Sequence, residues 1–98
     1  MNFLKGNKMN EITDENLNEI RKRWEASTPG PWIASVEGRD HPLGGDTVIL
    51  RGENRDAEDL YLIGGTIADY EFVAHTKQDI PLLLDEIDRL RKFLAPTS

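Results

Sequence analysis

The chain has 98 residues, room for one domain with a thin core, and its 38% hydrophobic and 31% charged residues are those of a folded chain rather than a disordered one. It contains no cysteine, which excludes disulfides, thiolate-held zinc and thiol catalysis, and no apolar run approaches the roughly 18 residues of a membrane span. The net charge of −6 gathers in the middle, where residues 31–65 carry three basic against seven acidic groups; with no basic stripe to neutralise phosphates, direct nucleic-acid binding is not expected.

Residues 1–12 read as a flexible tail and 13–98 as a single α+β domain. Phe3 and Leu4 lead into Gly6-Asn7 with no hydrophobic core of a secretory signal, so a cytoplasmic protein is the expectation. Thr13 is placed as an N-cap, with Asp14 and Glu15 facing the helix dipole, and a first helix should run from Asp14 to about Ala26. Leu17, Ile20 and Trp24 share one face, while Glu19–Arg23 and Arg21–Glu25 stand at i,i+4.

Thr28-Pro29-Gly30-Pro31-Trp32 must end that helix. Pro29 and Gly30 suit a type II turn, giving a rigid corner with Trp32 anchored in the core. Trp32 to Glu37 alternates as a half-buried strand, Thr47–Arg51 is a second, and Leu60–Ile63 a short third. Their spacing fits an antiparallel meander of about three strands.

Thr66 caps the next helix, with Asp69 as a short-armed capping box. Pro81 should break the chain around Gln78-Asp79, so that two C-terminal helices are expected. The last, DIPLLLDEIDRLRKFL, places Ile80, Leu83, Ile87, Leu90 and Leu94 on a heptad seam. Asp85–Arg89 and Asp88–Lys92 support its solvated side. The seam packs on the chain's own sheet or meets a second copy, and self-association through it is the expectation. Ala95-Pro96 ends the helix.

Chemistry is sparse. Glu71, His75 and Asp79 would align as metal ligands on a continuous helix, but the break at Gln78–Pro81 spoils that alignment. His41, beside Asp40, could act as a general base, yet nothing nearby completes a triad or a metal set. Gly64-Gly65-Thr66 lacks the lysine of a phosphate-binding loop. No cofactor, metal or catalytic residue is assigned, and the chain is read as no enzyme. For a nucleotide-like ligand the candidates are Trp32, Arg39, His41, Arg51, Arg55 and Tyr61, since arginine forks grip phosphate and aromatic rings stack on bases.

Two stretches carry a family resemblance. Ser27-Thr28-Pro29-Gly30-Pro31-Trp32 after a charged helix, and Ala68 to His75 running into Asp79 to Arg91, together resemble small phage and prophage accessory proteins of the Ead type. The resemblance covers about a third of the chain and leaves out residues 33–65. It implies a phage product that influences its host, with no established catalytic site to carry over. The ends then read as scaffold, and the middle as the part free to vary with a partner. The expected function is a non-enzymatic, oligomeric binding module for a host factor. The alternative is a sponge that sequesters a nucleotide-derived immune signal at a subunit interface.

Overall fold

Thr13 caps the first helix as the sequence predicts: its Oγ1 accepts the Asn16 N–H at 3.0 Å, and Asn16 Oδ1 accepts the Thr13 N–H in return. The computed structural model describes residues 11–94, in the order α1 (Asp14–Ala26), β1 (Trp32–Ser35), β2 (Val48–Arg51) and α2 (Ile67–Leu94). The expected tail falls almost wholly outside the described residues, as does the stop at Ala95-Pro96.

The α+β class matches the reading of the sequence, with two corrections. The first concerns the C-terminal half, which is one helix of 28 residues with Pro81 inside it. A proline in a helix removes the N–H that would bond the carbonyl four residues back, here that of Lys77. That carbonyl accepts instead from Trp24 Nε1 of α1 at 2.8 Å. The missing bond is made from outside the helix, so α2 continues where the local sequence calls for a break. Thr66 caps it as expected: Asp69 N–H donates to Thr66 Oγ1 at 3.1 Å and Thr66 N–H to Asp69 Oδ2 at 2.9 Å.

The second correction concerns the sheet, which has two strands. β1 and β2 pair antiparallel, Trp32 opposite Arg51 through Ser35 opposite Val48. Only Leu60 of the expected third strand joins, exchanging both backbone bonds with Ile49 at 2.8 and 2.9 Å. The ladder stops there because Leu62 turns to α2: its N–H donates to the Tyr70 hydroxyl at 2.9 Å, and that hydroxyl donates back to the Leu62 carbonyl.

The core is small. Ala34, Ile49, Tyr70 and Ala74 pack together, Ile49 with no exposed surface, and Trp32, Leu60, Leu62 and Val73 close around them. It joins the strands to the first half of α2; α1 packs beside α2 further along. Arg21 of α1 reaches Asp85 and Asp88, and Arg91 reaches back to Asp14 and the Ile12 carbonyl, so the two helices run antiparallel. The local pair expected between Arg21 and Glu25 gives way to contacts between helices, and Arg89 pairs with Glu86 rather than Asp85.

The corner after α1 also differs in detail. Gly30 does not have the positive φ of a type II turn, and the Gly30–Pro31 peptide is cis. Closeness favours glycine here: a Cβ would stand 3.1 Å from Lys77 Cγ, a tight contact. The corner lies directly against α2.

Candidate functional site

The corner is tied to α2 by two consecutive side chains. Gln78 acts as a third strand would: its Oε1 accepts the Trp32 N–H at 2.9 Å and its Nε2 donates to the Trp32 carbonyl at 3.0 Å. Lys77 is buried, at 7% exposure, and donates from Nζ to the Trp24 carbonyl at 2.9 Å and to Ser27 Oγ at 2.7 Å. Its ammonium lies 4.2 Å from the Trp24 ring centroid. Burial pushes the Lys77 pKa down; the carbonyl at the end of α1 and the indole face favour the charged form against that penalty. The sequence marks none of Lys77, Gln78 and Trp24 as functional. The only available signal is Pro81 standing four residues after Lys77, with a donor-bearing Trp on the neighbouring helix.

At the start of β1, Trp32 and Arg51 meet across the strands. The guanidinium carbon sits 5.6 Å from the indole centroid, and Trp32 Nε1 donates to the Thr28 carbonyl at 2.9 Å. The fork of Arg51 is occupied: Nη1 donates to Thr28 Oγ1, while Nε and Nη2 donate to the Glu58 carbonyl. A cavity of about 440 Å³ beside this pair is lined by Thr28, Gly52, Asn54 and the acidic Glu53 and Asp56.

At the other end of β1 the chain forms a tight loop from Val36 to Gly45. The Val36 N–H donates to Asp40 Oδ2 at 2.8 Å, Gly38 N–H to the His41 carbonyl, and Gly44 N–H to Glu37 Oε2 at 2.9 Å. His41 Nδ1 meets Ser35 Oγ at 2.9 Å. Arg39 spans Asp40 at 2.7 Å and Glu71 of α2 at 3.0 Å, fastening the loop to the helix. The Asp40 carboxyl is held below its usual pKa by the Arg39 fork and then by the Val36 N–H. Asp40 thus serves Arg39 and the backbone, and the Ser35–His41 pair has no carboxylate hydrogen-bonded to its imidazole. Leu43 stands at the loop's tip, 81% exposed, beside Gly38, whose positive φ turns the chain.

The six ligand candidates therefore separate. Trp32 and Arg51 come together at one end of the strands, Arg39 and His41 share the loop at the other, Arg55 sits in the turn after β2, and Tyr61 lies exposed beyond the Leu60 bridge. The heptad seam divides too. Ile80 and Ile87 are half-buried, whereas Leu83, Leu90 and Leu94 are exposed.

Because α2 is unbroken, Glu71, His75 and Asp79 do stand at helical spacing, contrary to the expected interruption. Glu71 is engaged by Arg39, and His75 Nδ1 donates to the Glu71 carbonyl at 2.7 Å. Among the described residues no group of three or more metal-ligating side chains is assembled, and no helix is long and apolar enough to cross a membrane. Compared with protein-family models, with curated proteins and with solved structures, the chain finds no match.

Proposed function

We propose that this chain is a non-enzymatic accessory protein of phage or prophage type, an oligomeric binding module whose residues 37–63 hold a host protein. One observation carries the reading: the Val36–Gly45 loop is fixed by its own hydrogen bonds and by Arg39 to α2, yet it presents Leu43 to solvent. An apolar side chain held out on a fixed loop loses little entropy on binding, which is the general advantage of a preorganised contact. The surrounding middle segment is acidic, so a partner with an apolar pocket in a basic surround fits it. The resemblance of the two end motifs to Ead-type proteins supports the same assignment and a site of action in the host cytoplasm.

The test is affinity capture from host lysate with wild type and Leu43→Asp side by side. A stoichiometric partner held by wild type and lost in the variant supports the proposal; a partner retained by Leu43→Asp overturns it. The nucleotide-sponge alternative draws less support. The Arg39 and Arg51 forks are filled by internal acceptors, and the cavity beside Arg51 carries two carboxylates that repel phosphate.

A further inference from the structure

Lys77 is a buried cation whose partners are all neutral: the Trp24 carbonyl, Ser27 Oγ, and the indole rings of Trp24 and, at 6.0 Å, Trp32. An ammonium carries three N–H donors, and two of them are used. The third has no acceptor oxygen among the described residues. A charge held out of water without a counter-charge is costly, and an anion brought beside it offsets part of that cost.

A cleft of about 260 Å³ lies next to this ammonium. Ile20, Ile80, Trp24 and Trp32 form its walls, and Arg23 and Lys77 are its only charged lining residues. Ser27, which accepts from Lys77 Nζ, lines the same cleft and so places the ammonium end of the side chain on this side. Arg23, expected to pair with Glu19, makes no ion pair among the described residues and is exposed. In a chain of net charge −6, this cleft therefore presents two cations and no acid. The cavity beside Arg51, with Glu53 and Asp56, is its opposite. Both indole N–H groups are occupied by the Lys77 and Thr28 carbonyls, so the two rings offer apolar and π surface only.

We propose that this cleft binds a small organic acid of the arylcarboxylate class. Its carboxylate lies between the third Lys77 N–H and the Arg23 guanidinium, and its ring rests against Ile20, Ile80 and the indoles. A cavity of about 150 Å³ suffices for benzene, so the cleft has room for one ring with a short acidic arm. The site lies at the other end of β1 from the Val36–Gly45 loop, and its test does not depend on the partner proposed there.

Both tryptophans of the chain line the cleft, so intrinsic fluorescence reads it directly. Phenylacetate titrated into the full chain is expected to give a saturable change. Phenylacetamide, of the same shape without the charge, should bind about tenfold more weakly or not at all. Arg23→Gln changes an exposed residue, so far-UV circular dichroism should stay as in wild type while phenylacetate affinity falls by about tenfold. Lys77→Met should abolish binding; where that variant fails to fold, Arg23→Gln carries the test alone. The proposal is overturned by the lack of a saturable response to phenylacetate at millimolar concentration. Equal affinity for the acid and the amide, or unchanged affinity in Arg23→Gln, overturns it as well.

Discussion

Trp24 donates its indole N–H to the carbonyl of Lys77, the group that Pro81 leaves without a donor in its own helix. One residue of α1 thereby permits a helix of 28 residues to pass through a proline. In return, Lys77 Nζ closes the last turn of α1 by donating to the Trp24 carbonyl and to Ser27. The two residues complete each other's helices.

This reciprocity makes the cost of losing the indole depend on the proline. Trp24→Phe should destabilise by about 1–3 kcal/mol, the cost of a part-buried carbonyl left unbonded together with some lost packing. In a Pro81→Ala background the N–H restored at position 81 bonds the Lys77 carbonyl within the helix, and the same substitution should cost less. Urea unfolding of the four proteins gives the coupling; additive costs would refute the link.

Gln78→Leu should lose both bonds to Trp32, a fall of about 1–3 kcal/mol. In a domain of this size each kcal/mol corresponds to a melting shift of about 4–8 °C. Gln78→Glu keeps an acceptor for the Trp32 N–H and gives up the donor contacts to the Trp32 and Ala74 carbonyls, so it should lie between Leu and wild type. Equal melting temperatures for all three would remove the amide's role.

Arg51→Lys should destabilise by about 1–2 kcal/mol, because an ammonium cannot reach Thr28 and Glu58 together while lying over Trp32. Thermal shift against cyclic nucleotides and ADP-ribose derivatives should show no ligand-dependent change for wild type. A clear shift that Arg51→Lys abolishes would move the functional reading to the sponge.

Acid should loosen the molecule at three carboxylates. Asp69 is held below its ordinary pKa by the Thr66 N–H and then the Thr66 hydroxyl, Asp40 by Arg39 and then the Val36 N–H, and Glu86 by Arg89. A depressed carboxyl binds fewer protons folded than unfolded. Its contribution is therefore full above the unfolded-state value near 4 and declines as pH falls through the lower folded value. The midpoint of urea unfolding should drop between neutral pH and pH about 3, and Asp69→Asn should flatten part of that drop. An unchanged slope in the variant would count against the cap as its source.

The groups legible in the sequence are those whose partners lie within a few residues. Thr13 as a helix cap, Thr66 with Asp69, and the alternation that buries Ala34 all follow from local spacing. The unbroken α2 is not legible, because the donor that rescues Lys77 lies 53 positions away in Trp24. The third strand fails for a similar reason: Leu62 has strand chemistry, but the hydroxyl of Tyr70 competes for its backbone. In the candidate site, Arg39 and Arg51 look available for phosphate because their internal acceptors, Glu71 and the Glu58 carbonyl, are visible only once the chain is folded.

The small sheet has a further property. Backbone groups at Trp32, Ala34 and Val36 point away from β2, and such an outer edge ordinarily invites another strand. Here Gln78 occupies Trp32, Asp40 and Arg39 occupy Val36 from its two sides, and on the far strand Leu60 occupies Ile49. Ala34 alone remains between two blocked neighbours, too short a length to template a ladder. The strands thus offer only isolated groups to an edge-to-edge ladder or to an extended peptide added as a strand, so the host-protein binding proposed for this molecule would rest on side chains of its loop.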